Sequence, residues 1–160
     1  PGERMIEMLV RKAAEADIPA LYQLETTCFP DPWSQKSLRD TLREERSFFA
    51  VAELGGKIAG YINTTYILDE MELNRICTLP EYRRNGAGKA LLQAAFGFAA
   101  SHGVRAFFLV VRASNAPAPA LYKAAGFREA GLRKNYYQNP AEDGLIMRAD
   151  VGAGDRKEHP

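Results

Sequence analysis

The chain has 160 residues, 46% apolar and 26% charged, and 21 Lys+Arg against 20 Asp+Glu leave a formal net charge of +1. Such values belong to a chain that buries one hydrophobic core, and they exclude disordered, collagen-like and coiled-coil classes. With so little net charge no overall field draws the protein onto nucleic acid or a membrane, and neither is expected as a partner.

No stretch approaches the ~18 apolar residues of a membrane span, and a cytoplasmic protein is the expectation. Cys28 and Cys77 lie outside any CxxC pattern and read as free thiols, with a single disulfide as the alternative. His102 and His159 are too scattered to build a metal site, so no metal is expected. Pro1 to Arg4 read as preceding the natural start, with Met5 or Met8 as candidate first residues. Residues 1–7 and the Gly- and charge-rich 151–160 read as flexible ends around a single domain over 8–150.

Met8–Lys12 opens as a short strand. Asp17 caps a helix with Pro19 in its first turn and Leu21, Leu24 and Cys28 at helical spacing. Phe29-Pro30-Asp31-Pro32-Trp33 interrupts it, and Ser34 is the N-cap of a second helix carrying Leu38 and Leu42. Phe48–Glu53 and Lys57–Leu68 are β-rich runs on either side of Gly55-Gly56, a hairpin signal. Glu72–Leu79 is a third strand, stopped by Pro80. Gly86–Ser101 is a helix, with Leu91, Ala94, Ala95 and Phe98 on one face. Arg105–Val111 is an apolar run suited to a strand buried on both faces. Ala116–Ala125 is a short helix with Pro117 in its first turn and Gly126 as its stop, before strands near Phe127–Arg133 and Leu145–Ala149. The order predicts an α+β fold with a mixed sheet.

The turn Arg83-Arg84-Asn85-Gly86-Ala87-Gly88-Lys89 joins a strand to the strongest helix. Its glycines let backbone amides approach a ligand, and the helix N-terminus and three cations add positive potential, so it reads as a phosphate site; the plainer alternative is a basic turn that merely starts a helix. A P-loop would need Gly where Arg83 stands and Ser or Thr where Ala90 stands, and a dinucleotide fingerprint would need Gly or Ala in place of Leu91. Both fail.

Pro80 to Gly88, containing Arg83-Arg84-Asn85-Gly86-Ala87-Gly88, resembles the (Arg/Gln)-x-x-Gly-x-(Gly/Ala) signature of the GNAT superfamily of N-acetyltransferases. The likeness continues in Leu91-Leu92, in Val111-Arg112-Ala113-Ser114-Asn115 and in Ala120 to Phe127, and it spans roughly Leu9 to Ala149. Those later runs, with Arg133 to Tyr137 and Ile146-Met147, are similar to the RimI type, which acetylates the N-terminal alanine of a small-subunit ribosomal protein; Phe29 to Ser34 matches its Phe-Pro-Trp-Ser segment.

The resemblance implies a GNAT fold whose central sheet splays two parallel strands at an acetyl-CoA cleft. It implies that Ile76, Cys77 and Thr78 bind pantetheine and the acetyl group through backbone groups, and that Arg83, Arg84, Asn85, Gly86, Ala87, Gly88 and Lys89 hold the pyrophosphate. Asn115 would contact the cofactor, and Tyr122 would stand near the thioester sulfur as general acid. The implied acceptor is a protein or peptide N-terminus, that of a ribosomal protein first.

The chain departs from that type at one place. Relatives carry Glu, the proposed general base, where this sequence has Val110. Glu72 is the best substitute, at the offset before Arg83 that other GNAT branches use; its alternative is a solvated carboxylate within Asp69-Glu70-Met71-Glu72. A weak base suits an α-amine of pKa ~7.7–8.0, roughly a tenth neutral at pH 7, far better than a lysine at ~10.4, neutral in about one part in 2,500. Asp69 and Glu70 would attract a basic acceptor, and Tyr136 and Tyr137, on a loop between the last strands, would wall the groove. Cys77 reads as a small strand hydrophobe and not a nucleophile, and Trp33 as a core anchor or a groove wall. The alternatives are a GNAT acting on lysine side chains or a small-molecule amine, and a non-catalytic acyl-CoA-binding module.

Overall fold

In a computed structural model, residues 7–115 and 119–152 are described. The elements are β1 (Met8–Lys12), α1 (Ile18–Cys28), α2 (Gln35–Leu42), β2 (Ser47–Leu54), β3 (Lys57–Ile67), β4 (Glu70–Thr78), α3 (Ala87–Ser101), β5 (Ala106–Arg112), α4 (Ala120–Ala124), β6 (Arg128–Tyr137) and β7 (Glu142–Asp150). Short 3-10 turns stand at Glu15–Asp17, Pro80–Tyr82 and Ala113–Asn115. The strands form a seven-stranded sheet ordered β1-β2-β3-β4-β5-β7-β6, mixed because β4 and β5 run parallel while β1/β2, β5/β7 and β6/β7 run antiparallel. That is the α+β class expected from the sequence. No helix among the described residues is long and apolar enough to cross a membrane.

The chain forms two compact units, one from the described residues up to Thr64 with Arg75–Ala95, the other from Thr65–Asn74 with the described residues from Phe96 onward. In the first, β1 pairs with β2 from Met8↔Leu54 to Lys12↔Ala50. Gly55 and Gly56, at φ 59° and 83°, make the β2–β3 turn that the Gly-Gly pair signals. The apolar stripe of α1 (Ile18, Leu21, Leu24) closes on Leu38, Phe49, Val51 and Tyr61. Ser34 caps α2 as expected, accepting the Ser37 N–H at 3.0 Å.

Asp17 departs from its expected role. Its carboxylate makes no cap bond to α1 and instead accepts two bonds from Arg11 (2.8 and 2.9 Å) and one from the Ala14 N–H (2.7 Å), so the guanidinium and the preceding turn hold it.

In the second unit β5 pairs with β7 along its whole length, and Phe96, Phe107 and Phe127 form an aromatic core with ring centroids 5.1–5.7 Å apart. Ala106, Phe107 and Leu109 are buried, while Phe108, Val110, Val111 and Arg112 are only half-buried, so burial on both faces does not hold along the strand. Parallel pairing of β4 with β5 runs from Glu70↔Ala106 to Glu72↔Phe108. Among the described residues no further pair joins these strands, although β4 continues to Thr78 and β5 to Arg112.

Two more boundaries differ from expectation. Strand β6 runs on to Tyr137, because Tyr137 pairs with Glu142 past an irregularity, so Tyr136 and Tyr137 lie in a strand and not in a loop. Helix α4 starts at Ala120 with the imino residue Pro119 as its cap; the expected start at Ala116, and Pro117, fall outside the described residues.

Candidate active site

In the first unit, β4 leads through Leu79 to a turn that Pro80 opens. Arg84 and Gly86 both adopt left-handed conformations (φ 72° and 82°), which reverse the chain twice before α3. The Gly86 carbonyl accepts the Ala90 N–H at 2.9 Å, and Ala87, 2% exposed, anchors the helix start. Among the described residues, none of the amides from Arg84 to Lys89 donates to a backbone carbonyl. A row of free N–H groups at a helix N-terminus, beside the exposed Arg83, Arg84 and Lys89, is an arrangement that can accept phosphate oxygens.

The end of β4 is held close to β3. A Cβ on Gly60 would stand 2.5 Å from the Cys77 carbonyl, so only glycine permits the approach, and the Leu79 N–H bonds the Ala59 carbonyl at 2.8 Å. The Cys28 thiol lies 3.8 Å from the Thr78 carbonyl. Burial, with Cys28 beside it, pushes the Cys77 thiol up, which keeps it protonated and a poor nucleophile at neutral pH.

Sequence reasoning missed a polar cluster on this face. Glu25 of α1 is fully buried, and its carboxylate accepts from the Tyr61 hydroxyl, from the Trp33 N–H (2.7 Å) and from Arg75 Nη2 (3.1 Å). Arg75 also donates to the Asp31 carbonyl (2.8 Å), and its guanidinium carbon lies 4.0 Å from the Phe29 ring centre and 4.7 Å from that of Trp33. Burial and the neighbouring carboxylate raise the Tyr61 pKa, so its hydroxyl stays a donor. The available signal was Glu25 itself, a carboxylate one turn from Leu21 on an apolar face.

In the second unit, the Leu-Tyr-x-x-x-Gly-Phe run is a helix stop that aims Tyr122. Gly126 takes φ 103°, its N–H bonds the Lys123 carbonyl (3.0 Å) and the Phe127 N–H bonds the Tyr122 carbonyl (3.0 Å). This Schellman arrangement brings Phe127 against Tyr122, their rings edge to face at 6.1 Å. Burial raises the Tyr122 pKa, with Tyr137 adding to it. Among the described residues the Tyr122 hydroxyl has no hydrogen-bond partner, which leaves its proton available.

Arg112 is a second residue that sequence reasoning left without a role. It donates to the carbonyls of Gln138 and Pro140 (3.0 Å each) and to Glu142 (3.1 Å), and it stacks on Tyr137 at 4.5 Å. Glu142 accepts the Ser114 N–H, and that bond, with Arg112 behind it, holds its carboxyl below the usual range. The motif Arg112-Ala113-Ser114-Asn115 thus ties β5 to the β6–β7 connection and places Asn115 at the end of an exposed turn.

The Tyr137 hydroxyl donates to the Val110 carbonyl at 3.0 Å. A Cβ on Gly144 would meet the Val110 side chain at 2.5 Å and the Tyr136 ring at 3.1 Å, so Val110 and Tyr136 share one patch. Tyr136 and Tyr137, their rings edge to face at 4.9 Å, therefore lie together beside Val110. Glu72 is half-buried on β4 opposite Phe108. Asp69 lies in the turn before β4 and Glu70 opens the strand, and their carboxylates have no ion-pair partner among the described residues. Ile76, Cys77 and Thr78 are at the strand's other end.

The profile of the acetyltransferase (GNAT) family matches residues 18–127. The [ribosomal protein bS18]-alanine N-acetyltransferase of Escherichia coli strain K12 is 40% identical over 133 residues, 82% of this chain and 89% of that protein. The N-alpha-acetyltransferase RimI of Mycobacterium tuberculosis is 32% identical over 143 residues, 86% of this chain and 89% of that one. The crystal structure of the Escherichia coli ribosomal-protein-S18-alanine N-acetyltransferase superposes with a TM-score of 0.81 at 36% identity, over 91% of this chain and 94% of that one.

Proposed function

Because the chain belongs to the GNAT family of acetyltransferases, we propose that residues 8–150 act as one catalytic domain that transfers the acetyl group of acetyl-CoA to the α-amine of a protein N-terminus. The favoured acceptor is the N-terminal alanine of ribosomal protein bS18. The observation that carries the choice of acceptor is the 40% identity with a bS18-alanine N-acetyltransferase over 82% of this chain. The free amides of the turn after β4 support the choice of donor.

In this reading the amides from Arg84 to Lys89 bind the pyrophosphate, with Arg83 alongside, and Asn115 contacts the cofactor. Ile76, Cys77 and Thr78 present backbone groups to pantetheine and acetyl. A backbone N–H there donates to the oxyanion as the amine nitrogen attacks the thioester carbon. Direct attack needs no enzyme nucleophile, in keeping with a buried, protonated Cys77.

Glu72 takes the proton that the amine loses. Tyr122 donates a hydrogen bond to the departing sulfur. Its raised pKa lies further above a thiol's ~8.5, so Tyr122 steadies the thiolate as a bound donor more than it neutralises it. Asp69, Glu70, Tyr136 and Tyr137 are our candidates on the acceptor side.

The test is CoA release from acetyl-CoA with a bS18 N-terminal peptide, a lysine peptide with a blocked N-terminus, and a small polyamine. The reading predicts release with the first at least tenfold above the others (~1.4 kcal/mol in transition-state binding). Preference for lysine or the polyamine would move the enzyme to another GNAT class. Acetyl-CoA binding without release on any amine would make it an acyl-CoA-binding module.

A further inference from the structure

We propose that Arg75 is a positioning residue for the acceptor: it fixes the Phe29–Trp33 loop as the wall against which the acceptor N-terminus docks. The proposal rests on the α-amine transfer reading above and adds a residue to it. Side chains two apart on a strand share a face. Arg75 pairs with Glu25 of α1, and Cys77 is buried with Leu21, Leu24 and Tyr61, so both point to the α1 side of β4. One strand repeat, ~6.6 Å, thus separates Arg75 from the backbone of Cys77 that is our candidate thioester anchor.

The loop is anchored at its ends, where the Phe29 N–H bonds the Glu25 carbonyl (3.0 Å) and the Phe29 and Trp33 rings pack partly against the α1 core, but its middle has no regular structure. Pro30 and Pro32 have no N–H to donate, and no regular element runs from Phe29 to Trp33. Arg75 ties the two ends together through the middle: its guanidinium touches the rings of Phe29 and Trp33 and bonds the Asp31 carbonyl (2.8 Å), three contacts to one short segment. Glu25, which holds Arg75 in place, also takes the Trp33 N–H.

The result is an apolar wall of two rings fixed beside the end of β4. Glu25 already balances the charge behind that wall, so the wall does not repel a cationic amine. A small first residue and its amine fit that chemistry. Arg75 acts through the loop and touches neither reactant.

Trp33 is the chain's single tryptophan and reports the loop without reference to activity. Arg75→Lys keeps the charge but has no planar fork to serve two rings, Glu25 and the Asp31 carbonyl together. The expected result is a rise of about twofold in acrylamide quenching of Trp33. The KM for the bS18 peptide should rise about tenfold, with kcat and the acetyl-CoA KM within about twofold of wild type. Combining Arg75→Lys with Trp33→Leu should raise the peptide KM by less than the product of the two single effects, since both act through one loop.

If Arg75→Lys does not fold, Phe29→Leu, which removes one ring from the guanidinium, must raise the peptide KM about threefold. Unchanged quenching, an unchanged peptide KM or independent effects in the double variant would overturn the proposal. A wild-type enzyme that acetylates no N-terminus would reject the transfer reading, and Trp33 quenching would then decide whether Arg75 holds the loop, with its acceptor role rejected.

Discussion

Replacing Glu25 by Gln removes one charge from a place where water cannot replace it. The side chain is 0% exposed, Arg75 is 18% exposed, and one Glu25 oxygen serves both the Arg75 Nη2 and the Trp33 N–H while the other serves Tyr61. Glutamine keeps one acceptor oxygen but turns an NH2 toward Tyr61, whose hydroxyl must then accept where it now donates. It also leaves the Arg75 cation without its counter-charge. Breaking a buried pair from one side costs about 3–5 kcal/mol, and the partial exposure of Arg75 places this case near the lower end, about 3 kcal/mol.

For a chain of this size that corresponds to a fall of roughly 6–12 °C in Tm. Urea unfolding followed by circular dichroism reads it directly. The exposed Lys36–Asp40 pair serves as control, with Lys36→Ala expected to change stability by no more than about 0.5 kcal/mol. A loss below about 1 kcal/mol in Glu25→Gln, or a loss equal to the control's, would refute the view that this carboxylate is an unhydrated structural anchor.

Tyr122→Phe should lower kcat about a hundredfold with the acetyl-CoA KM nearly unchanged; equal kcat would remove Tyr122 from the chemistry. Because the Tyr122 pKa is raised, wild-type kcat should show no loss from tyrosine ionisation up to the ordinary value of ~10, and a decline from about pH 8 that Tyr122→Phe abolishes would contradict that. The hydrogen bonds from Arg11 depress the Asp17 pKa, so their stability is present at neutral pH and lost as pH falls from about 4 through the lower folded value. The gap in urea midpoint between wild type and Arg11→Gln should therefore close in acid, and a gap constant from pH 6 to 2 would refute it. Gly60→Ala, whose methyl meets the Cys77 carbonyl, should displace the end of β4 and raise the acetyl-CoA KM; an unchanged KM would place the thioester elsewhere.

The elements with strong local signals were readable before any coordinates. Gly55-Gly56, the Ser34 cap and the α3 stripe each carry their structural instruction in a few residues. So does Gly126, and the structure adds the reason its motif includes Phe127 and Tyr122. The misread cases were settled over longer range. Asp17 looked like a helix cap because its partner Arg11 lies on another element, and Tyr136-Tyr137 looked like a loop because the strand partner of Tyr137, Glu142, lies beyond an irregularity in the pairing. Glu25 and Arg75 lie 50 positions apart in the chain, a separation no local pattern spans, and only the fold makes them a pair. Arg112 stood inside a recognised motif, yet its contacts with the β6–β7 connection came from topology.

The central claim is transfer to an α-amine, and fragment mass spectrometry of a bS18 N-terminal peptide that also contains lysine tests it most directly. After incubation with acetyl-CoA and the enzyme, the account predicts one acetyl group, located on the first residue, with every lysine unmodified. An acetyl group on a lysine with the first residue free would contradict it.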